Sequence, residues 1–125
     1  MFEFDFLASW VKIVLREDCV VEIKHSLKDN RLCVSLKGEL DECSAEYVRM
    51  SLDSLLKDIT CLNKPEFIMD FSEVTFMDST GIGVLLGRYN KFSKKGVKML
   101  IKNTQGHVDR ILKMTGIYEI MPKVC

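Results

Sequence analysis

Met77-Asp78-Ser79-Thr80-Gly81-Ile82-Gly83-Val84 places a hydroxyl where an extended segment gives way to a helix. Downstream, Ile82, Leu85, Leu86, Tyr89 and Phe92 recur at three- and four-residue intervals, the period of an α-helix with one buried face. Ser79 then sits in a first turn whose backbone N–H groups point outward without intrahelical partners. Such a terminus carries partial positive charge and accepts an anion or a phosphate. A serine there can be a cap, a nucleophile or a modification site.

The nucleophile reading lacks its companions. The elbow pattern G-x-S-x-G needs a glycine two residues before the serine, and Met77 stands there. The two histidines, His25 and His107, lie in no recognisable catalytic setting. The spacing Gly81-x-Gly83-x-x-x-Gly87 is neither a dinucleotide fingerprint nor a phosphate loop with its lysine. At about 100° per residue, Ile82, Leu85, Leu86 and Tyr89 centre on one side of the helix, which predicts an exposed Val84 on the other. Ser79, Gly83 and Gly87 align at intervals of four between those sides, so either a partner backbone approaches closely beside the hydroxyl or the two glycines permit tight packing inside the domain.

Upstream of this stretch, Phe67 to Phe71 reads as a buried strand entered through Pro65. Before it, Ser44 to Asp58 reads as a helix with Val48, Leu52, Leu55, Leu56 and Ile59 in one apolar stripe. Val21, Ile23 and Leu27 begin a strand, Lys28-Asp29-Asn30 offers a turn, and Leu32, Val34 and Leu36 alternate strictly, which together predict a hairpin. Downstream, Gly96 precedes a strand from Val97 to Ile101. Thr104 is placed to cap a further helix with Val108, Ile111 and Leu112 inward, and Gly116 to end it. The pattern is α/β, with two successive βαβ units. Which face each helix takes depends on strand order, which sequence does not fix.

Residues 1–18 form an N-terminal extension before a domain spanning 19–125. Leu7, Trp10, Val11, Val14 and Leu15 have helical spacing, which makes an added helix one expectation; a frayed or dimerising extension is the other. At 125 residues with 47% hydrophobic and 29% charged residues, the chain suits one packed domain. Eighteen basic residues balance eighteen acidic ones, so no net field recruits nucleic acid or an anionic membrane; a protein partner is expected. Five cysteines without C-x-x-C spacing argue against a disulfide framework and a zinc site, in keeping with a cytoplasmic setting. No apolar run reaches the length of a membrane span, and the start lacks signal-peptide features.

Phe76-Met77-Asp78-Ser79-Thr80-Gly81-Ile82-Gly83-Val84-Leu85-Leu86-Gly87-Arg88-Tyr89 resembles the signature of bacterial anti-sigma factor antagonists, the STAS domain family. Gly38-Glu39-Leu40-Asp41 resembles the family's G-E-L-D turn, and Met114-Thr115-Gly116-Ile117-Tyr118 its late turn. The three motifs fall in the family's order over about Val20 to Val124, and the L-G-R-Y continuation is nearest the sporulation members. The resemblance implies a single STAS-like domain: a mixed, mostly parallel sheet with an N-terminal hairpin and helices largely on one face. Family members usually continue into a last helix, whereas this sequence stops at Cys125.

The resemblance also implies a function. The unphosphorylated antagonist binds an anti-sigma factor that is an ATP-dependent serine kinase and so frees a sigma factor. Phosphorylation at Ser79 switches it off, and a serine phosphatase resets it. The chain itself is then no enzyme and carries no cofactor or metal, ATP being used by the kinase. Asp41, Asp78, Thr80, Gly81, Gly83, Val84 and Gly87 are the expected partner-binding residues, with Asp41 serving the partner rather than the fold. A monomer or weak dimer is expected. Two other classes are a STAS-type small-ligand or nucleotide-binding module, and an accessory subunit of a transporter or stress-signalling complex.

Overall fold

The computed structural model describes residues 9–16 and 19–124. Strand β1 (Ser9–Arg16) is followed by β2 (Cys19–Lys28), β3 (Arg31–Leu40), helix α1 (Ala45–Ile59), β4 (Glu66–Met77), α2 (Ser79–Lys94), β5 (Lys98–Lys102), α3 (Gly106–Met114), a 3-10 turn (Ile117–Glu119) and β6 (Lys123–Val124). The six strands form one sheet in the order β1-β2-β3-β4-β5-β6. The β1–β2 and β2–β3 pairs are antiparallel; the remaining three are parallel. The expected hairpin is β2–β3, turned at Asp29, whose φ of 60° suits the left-handed conformation that Asp tolerates.

Strand order equal to chain order decides what the sequence left open. Each parallel crossover steps one strand in the same direction, and right-handed crossovers then set all their helices on one face. A single core joins Leu32, Val34, Leu36, Phe67, Met69, Phe71, Met99 and Ile101 of the sheet to Val48, Leu52 and Leu56 of α1, Ile82 and Leu85 of α2, and Val108 and Leu112 of α3. Among the described residues no helix is long and apolar enough to cross a membrane.

Two expectations fail here. Residues 9–16, part of the extension expected to be helical, form an edge strand paired to β2 from Ser9↔Ser26 to Arg16↔Cys19. Trp10-Val11-Lys12-Ile13-Val14-Leu15 holds three β-branched residues in six, and their χ1 restriction favours a strand where a sheet edge is available. Leu7 and the rest of residues 1–8 lie outside the described residues, as do 17 and 18. Thr104 is not the cap of α3. Gln105 holds that position, while the Thr104 hydroxyl lies 3.0 Å from Asp109 Oδ1 and 2.6 Å from the Tyr118 hydroxyl. Gly116, with φ of 78°, does stand just past the helix end as expected.

Strand β4 is longer than its apolar run suggested, and the reason is two irregularities in its pairing with β3. The register skips between Ser35 and Lys37 and again between Gly38 and Glu39, each time consuming an extra residue of β4. Inward positions therefore run Phe67, Met69, Phe71, then Val74, then Met77. Each bulge flips the alternation and bends the strand, a device that re-aims the chain beyond it. The chain so directed carries Asp78 and Ser79.

Candidate functional site

The two expected acidic positions do come together. Leu40 pairs with Met77 at the carboxyl ends of parallel neighbours, so Asp41 and Asp78 leave the sheet side by side. Asp78 is the N-cap of α2: its backbone is extended (φ −123°, ψ −169°), and its Oδ1 accepts from Thr80 N–H at 2.9 Å and Gly81 N–H at 3.2 Å. This corrects the picture of a first turn with vacant donors, because the carboxylate of Asp78 occupies two of them. Ser79 is the first helical residue, exposed, with its neighbour rather than itself acting as cap. Its hydroxyl makes no hydrogen bond among the described residues.

Asp41 has local work, contrary to expectation. Its Oδ1 accepts from the N–H groups of Cys43 at 3.0 Å and Ser44 at 3.2 Å. The buried Ser44 hydroxyl donates to Glu39 O at 2.7 Å and accepts from Asp41 N–H at 3.2 Å. Such Asx-type bonding fixes a turn. Asp41 therefore sets the entry to α1 as well as bearing charge beside Asp78.

The glycines separate into two kinds. Gly81 is buried, and a Cβ there would stand 2.6 Å from Leu40 O and 2.8 Å from Met77 Cγ. It packs α2 onto the end of β3 and offers no surface to a partner. Gly83 and Gly87 have nothing within 4 Å of such a Cβ. With Ser79 they form the open line the sequence predicted; Thr80 is half-buried at its edge.

Val84 is buried, at 2% exposure, and Leu86 is exposed at 40%, the reverse of the expected arrangement. The cause is α1. Val84, Arg88 and Lys91 share one line of α2, and both cations reach Asp53 of α1, at 2.9 Å and 3.2 Å. Helix α2 thus packs against the sheet and against α1, and its buried arc is wider and turned toward Val84. A wheel drawn for one buried face missed the second neighbour.

Two residues that sequence reading did not assign complete the surroundings. Strand β5 accompanies β4 only as far as Asp70↔Lys102. Beyond it, alternate side chains of the β5–α3 connection and the first turn of α3 bond β4 instead: Asn103 to Asp70 Oδ2 at 3.2 Å, Gln105 to Ser72 O at 3.2 Å, and His107 Nε2 to Met77 O at 3.0 Å. A carbonyl only accepts, so Nε2 carries the proton. The His107 ring stacks on Phe76, with centroids 5.3 Å apart and planes 13° from parallel. Phe76 could have been found as an apolar residue three before the serine; His107 had no local signal.

Residues 20–125 match the profile of the STAS domain. The chain belongs to the STAS domain family. The anti-sigma F factor antagonist of Paenibacillus polymyxa is 37% identical over 73% of this chain and 75% of its own length. This STAS domain also resembles SpoIIAA, an anti-sigma factor antagonist, in its unphosphorylated form (TM-score 0.66, 22% identity, 82% of this chain and 88% of that one). The phosphorylated form of SpoIIAA, a Bacillus cell fate determinant, gives a TM-score of 0.61 at 20% identity, over 82% of this chain and 91% of that one. At those identities the structures establish the fold. The STAS domain's Ser79, capped by Asp78 and fronting Gly83 and Gly87, is the part of that fold on which a functional reading rests.

Proposed function

We propose that this STAS domain is an anti-sigma factor antagonist switched by phosphorylation of Ser79. The observation that carries the reading is an exposed serine at the first position of α2, beside a carboxylate already committed to the helix terminus. In the unmodified state the domain binds, in the cytoplasm, an anti-sigma factor that is also a serine kinase, and a sigma factor is released. The kinase then transfers the γ-phosphoryl group of ATP to the Ser79 hydroxyl, and a phosphatase hydrolyses the ester. The domain itself contributes a surface and an acceptor, and needs no cofactor.

The switch follows from electrostatics. A phosphoserine adds roughly 1.5 to 2 negative charges at neutral pH. Because Asp78 already takes two of the terminal N–H groups, the phosphate gains mainly the helix dipole, worth up to about 1 kcal/mol at an exposed site. Against a partner surface shaped for a neutral hydroxyl, the added charge must shed water beside Asp78 without a matching cation, at a cost of several kcal/mol. Association therefore suffers more than folding. The same occupancy of donors by Asp78 weighs against a small-ligand module that would hold a free phosphate at this terminus.

Calorimetric titration of the anti-sigma factor with three forms tests the reading. Ser79→Ala should bind and resist inactivation, Ser79→Asp should fold normally and bind much more weakly, and the phosphorylated protein should bind weakest. Mass spectrometry after reaction with the kinase should show one phosphate, lost in Ser79→Ala; a phosphate retained on Thr80 would reassign the acceptor. Equal affinity of the phosphorylated and unmodified forms would sink the switch.

A further inference from the structure

We propose that the stacked pair Phe76–His107 is a second anchor for the anti-sigma factor, a contact surface separate from the Ser79 line of α2 and unaffected by its phosphorylation; this rests on the antagonist reading above. Phe76 is 39% exposed near the end of β4, and His107 at the start of α3 is exposed beside it. Only Met77 and Asp78 separate Phe76 from Ser79, so their Cα atoms lie within about 10 Å. A partner burying roughly 800 Å² of this domain around Ser79 covers a patch about 16 Å in radius. Such a footprint takes in both rings.

The pair is preorganised, which is what an anchor requires. His107 is fixed by its bond to Met77 O and by the stack, so neither ring must be ordered on binding. Aromatic side chains held this way supply large contact area at low entropic cost and recur among residues that dominate interfaces. The complementary surface on the anti-sigma factor is an apolar recess for the exposed edges of the two stacked rings.

The test uses the full chain and the anti-sigma F-type factor of the same organism, in two measurements. The Phe76 ring touches His107 but makes no hydrogen bond to the Ser79 turn, so Phe76→Ser reads contact rather than positioning. It should keep the thermal midpoint and lower affinity about tenfold or more. It should weaken Ser79→Asp by a similar factor, since the two anchors act independently. Hydrogen-exchange footprinting of the wild-type complex should show protection at 74–78 and 105–109 as well as along α2. Wild-type affinity in Phe76→Ser, or protection confined to 78–90, would overturn the second anchor while leaving the antagonist reading intact. Failure of the unmodified wild type to bind the anti-sigma factor at all would instead remove the antagonist reading itself.

Discussion

Gly81 lies against the main-chain oxygen of Leu40, so close that a Cβ would meet it at 2.6 Å. Backbone cannot yield as a flexible side chain does, and Gly81→Ala should push the first turn of α2 off the end of β3. We expect a loss of about 1 to 3 kcal/mol, the usual cost of overpacking. Gly83→Ala and Gly87→Ala should do the opposite to stability, gaining up to about 1 kcal/mol each from helix propensity. Both should weaken binding to the anti-sigma factor by obstructing close approach. Urea denaturation and titration of the three variants check the contrast; a Gly81→Ala variant as stable as wild type would refute the packing argument.

Asp41 can be separated into its two roles. Asp41→Asn keeps an oxygen for Cys43 and Ser44 N–H groups and should retain wild-type stability. Asp41→Ala removes that acceptor and should lose about 1 kcal/mol, as helix-entry residues do. If its charge serves the partner, both variants bind less well. If only the alanine variant binds poorly, the turn is the whole of its contribution.

The Asp53–Arg88 pair links α1 to α2 with side-chain exposures of 26% and 11%. The atoms are 2.9 Å apart yet not aligned for a hydrogen bond, so the contact is one of charge. Asp53→Ala strands the Arg88 guanidinium in a mostly dry site and should cost about 1 to 3 kcal/mol, less than a fully buried pair would. Arg88→Met should cost less, because Asp53 keeps Lys91 at 3.2 Å. Chemical denaturation of both variants would show the asymmetry.

Stability should fall at both extremes of pH through one cluster. The Tyr118 hydroxyl at 2.6 Å, with Lys123 at 3.1 Å, Lys113 at 3.2 Å and Thr104 at 3.0 Å, holds the Asp109 carboxyl far below its ordinary value of 3.8. A depressed folded value means this contribution is complete above about pH 4 and is lost as pH drops below it. Burial, and then the bond to Asp109, pushes Tyr118 from 10.0 up to about 12. That contribution is complete below pH 10 and is lost as pH rises toward 12. Asp109→Asn should flatten the acid limb and Tyr118→Phe the alkaline one, as read from denaturation midpoints across pH.

What the sequence disclosed depended on how many neighbours each segment has. The β2–β3 hairpin and α1 follow simple alternation and a single apolar stripe, and both were legible within a residue or two. Beyond Phe71, β4 was not, because its bulges break the period of two on which strand reading depends. Val84 was misplaced because a wheel assigns one buried face and α2 has two. The segment 9–16 satisfied a helical spacing while its β-branched content and the vacant edge of β2 favoured a strand. At the candidate site, strand ends expected to run parallel placed Asp41 beside Asp78, as the pairing of Leu40 with Met77 bears out. The cap role of Asp78 and the placement of His107 depend on contacts that only the folded chain makes.

Strand order that tracks chain order also bears on how the molecule reaches its structure. Every strand pairs with its predecessor in the chain, and the β3–β4 closure, from Arg31 to Glu66, spans only 35 residues. The β2–β3 hairpin can form within microseconds, and each later βαβ unit then docks on a sheet edge already present. No distant termini must meet before contacts begin to compensate lost chain entropy. Ser79 and its cap Asp78 both lie on the β4–α2 junction, in the middle of that succession. The Ser79 turn thus builds on a hairpin already paired, and growth of the sheet beyond it seals the turn in place.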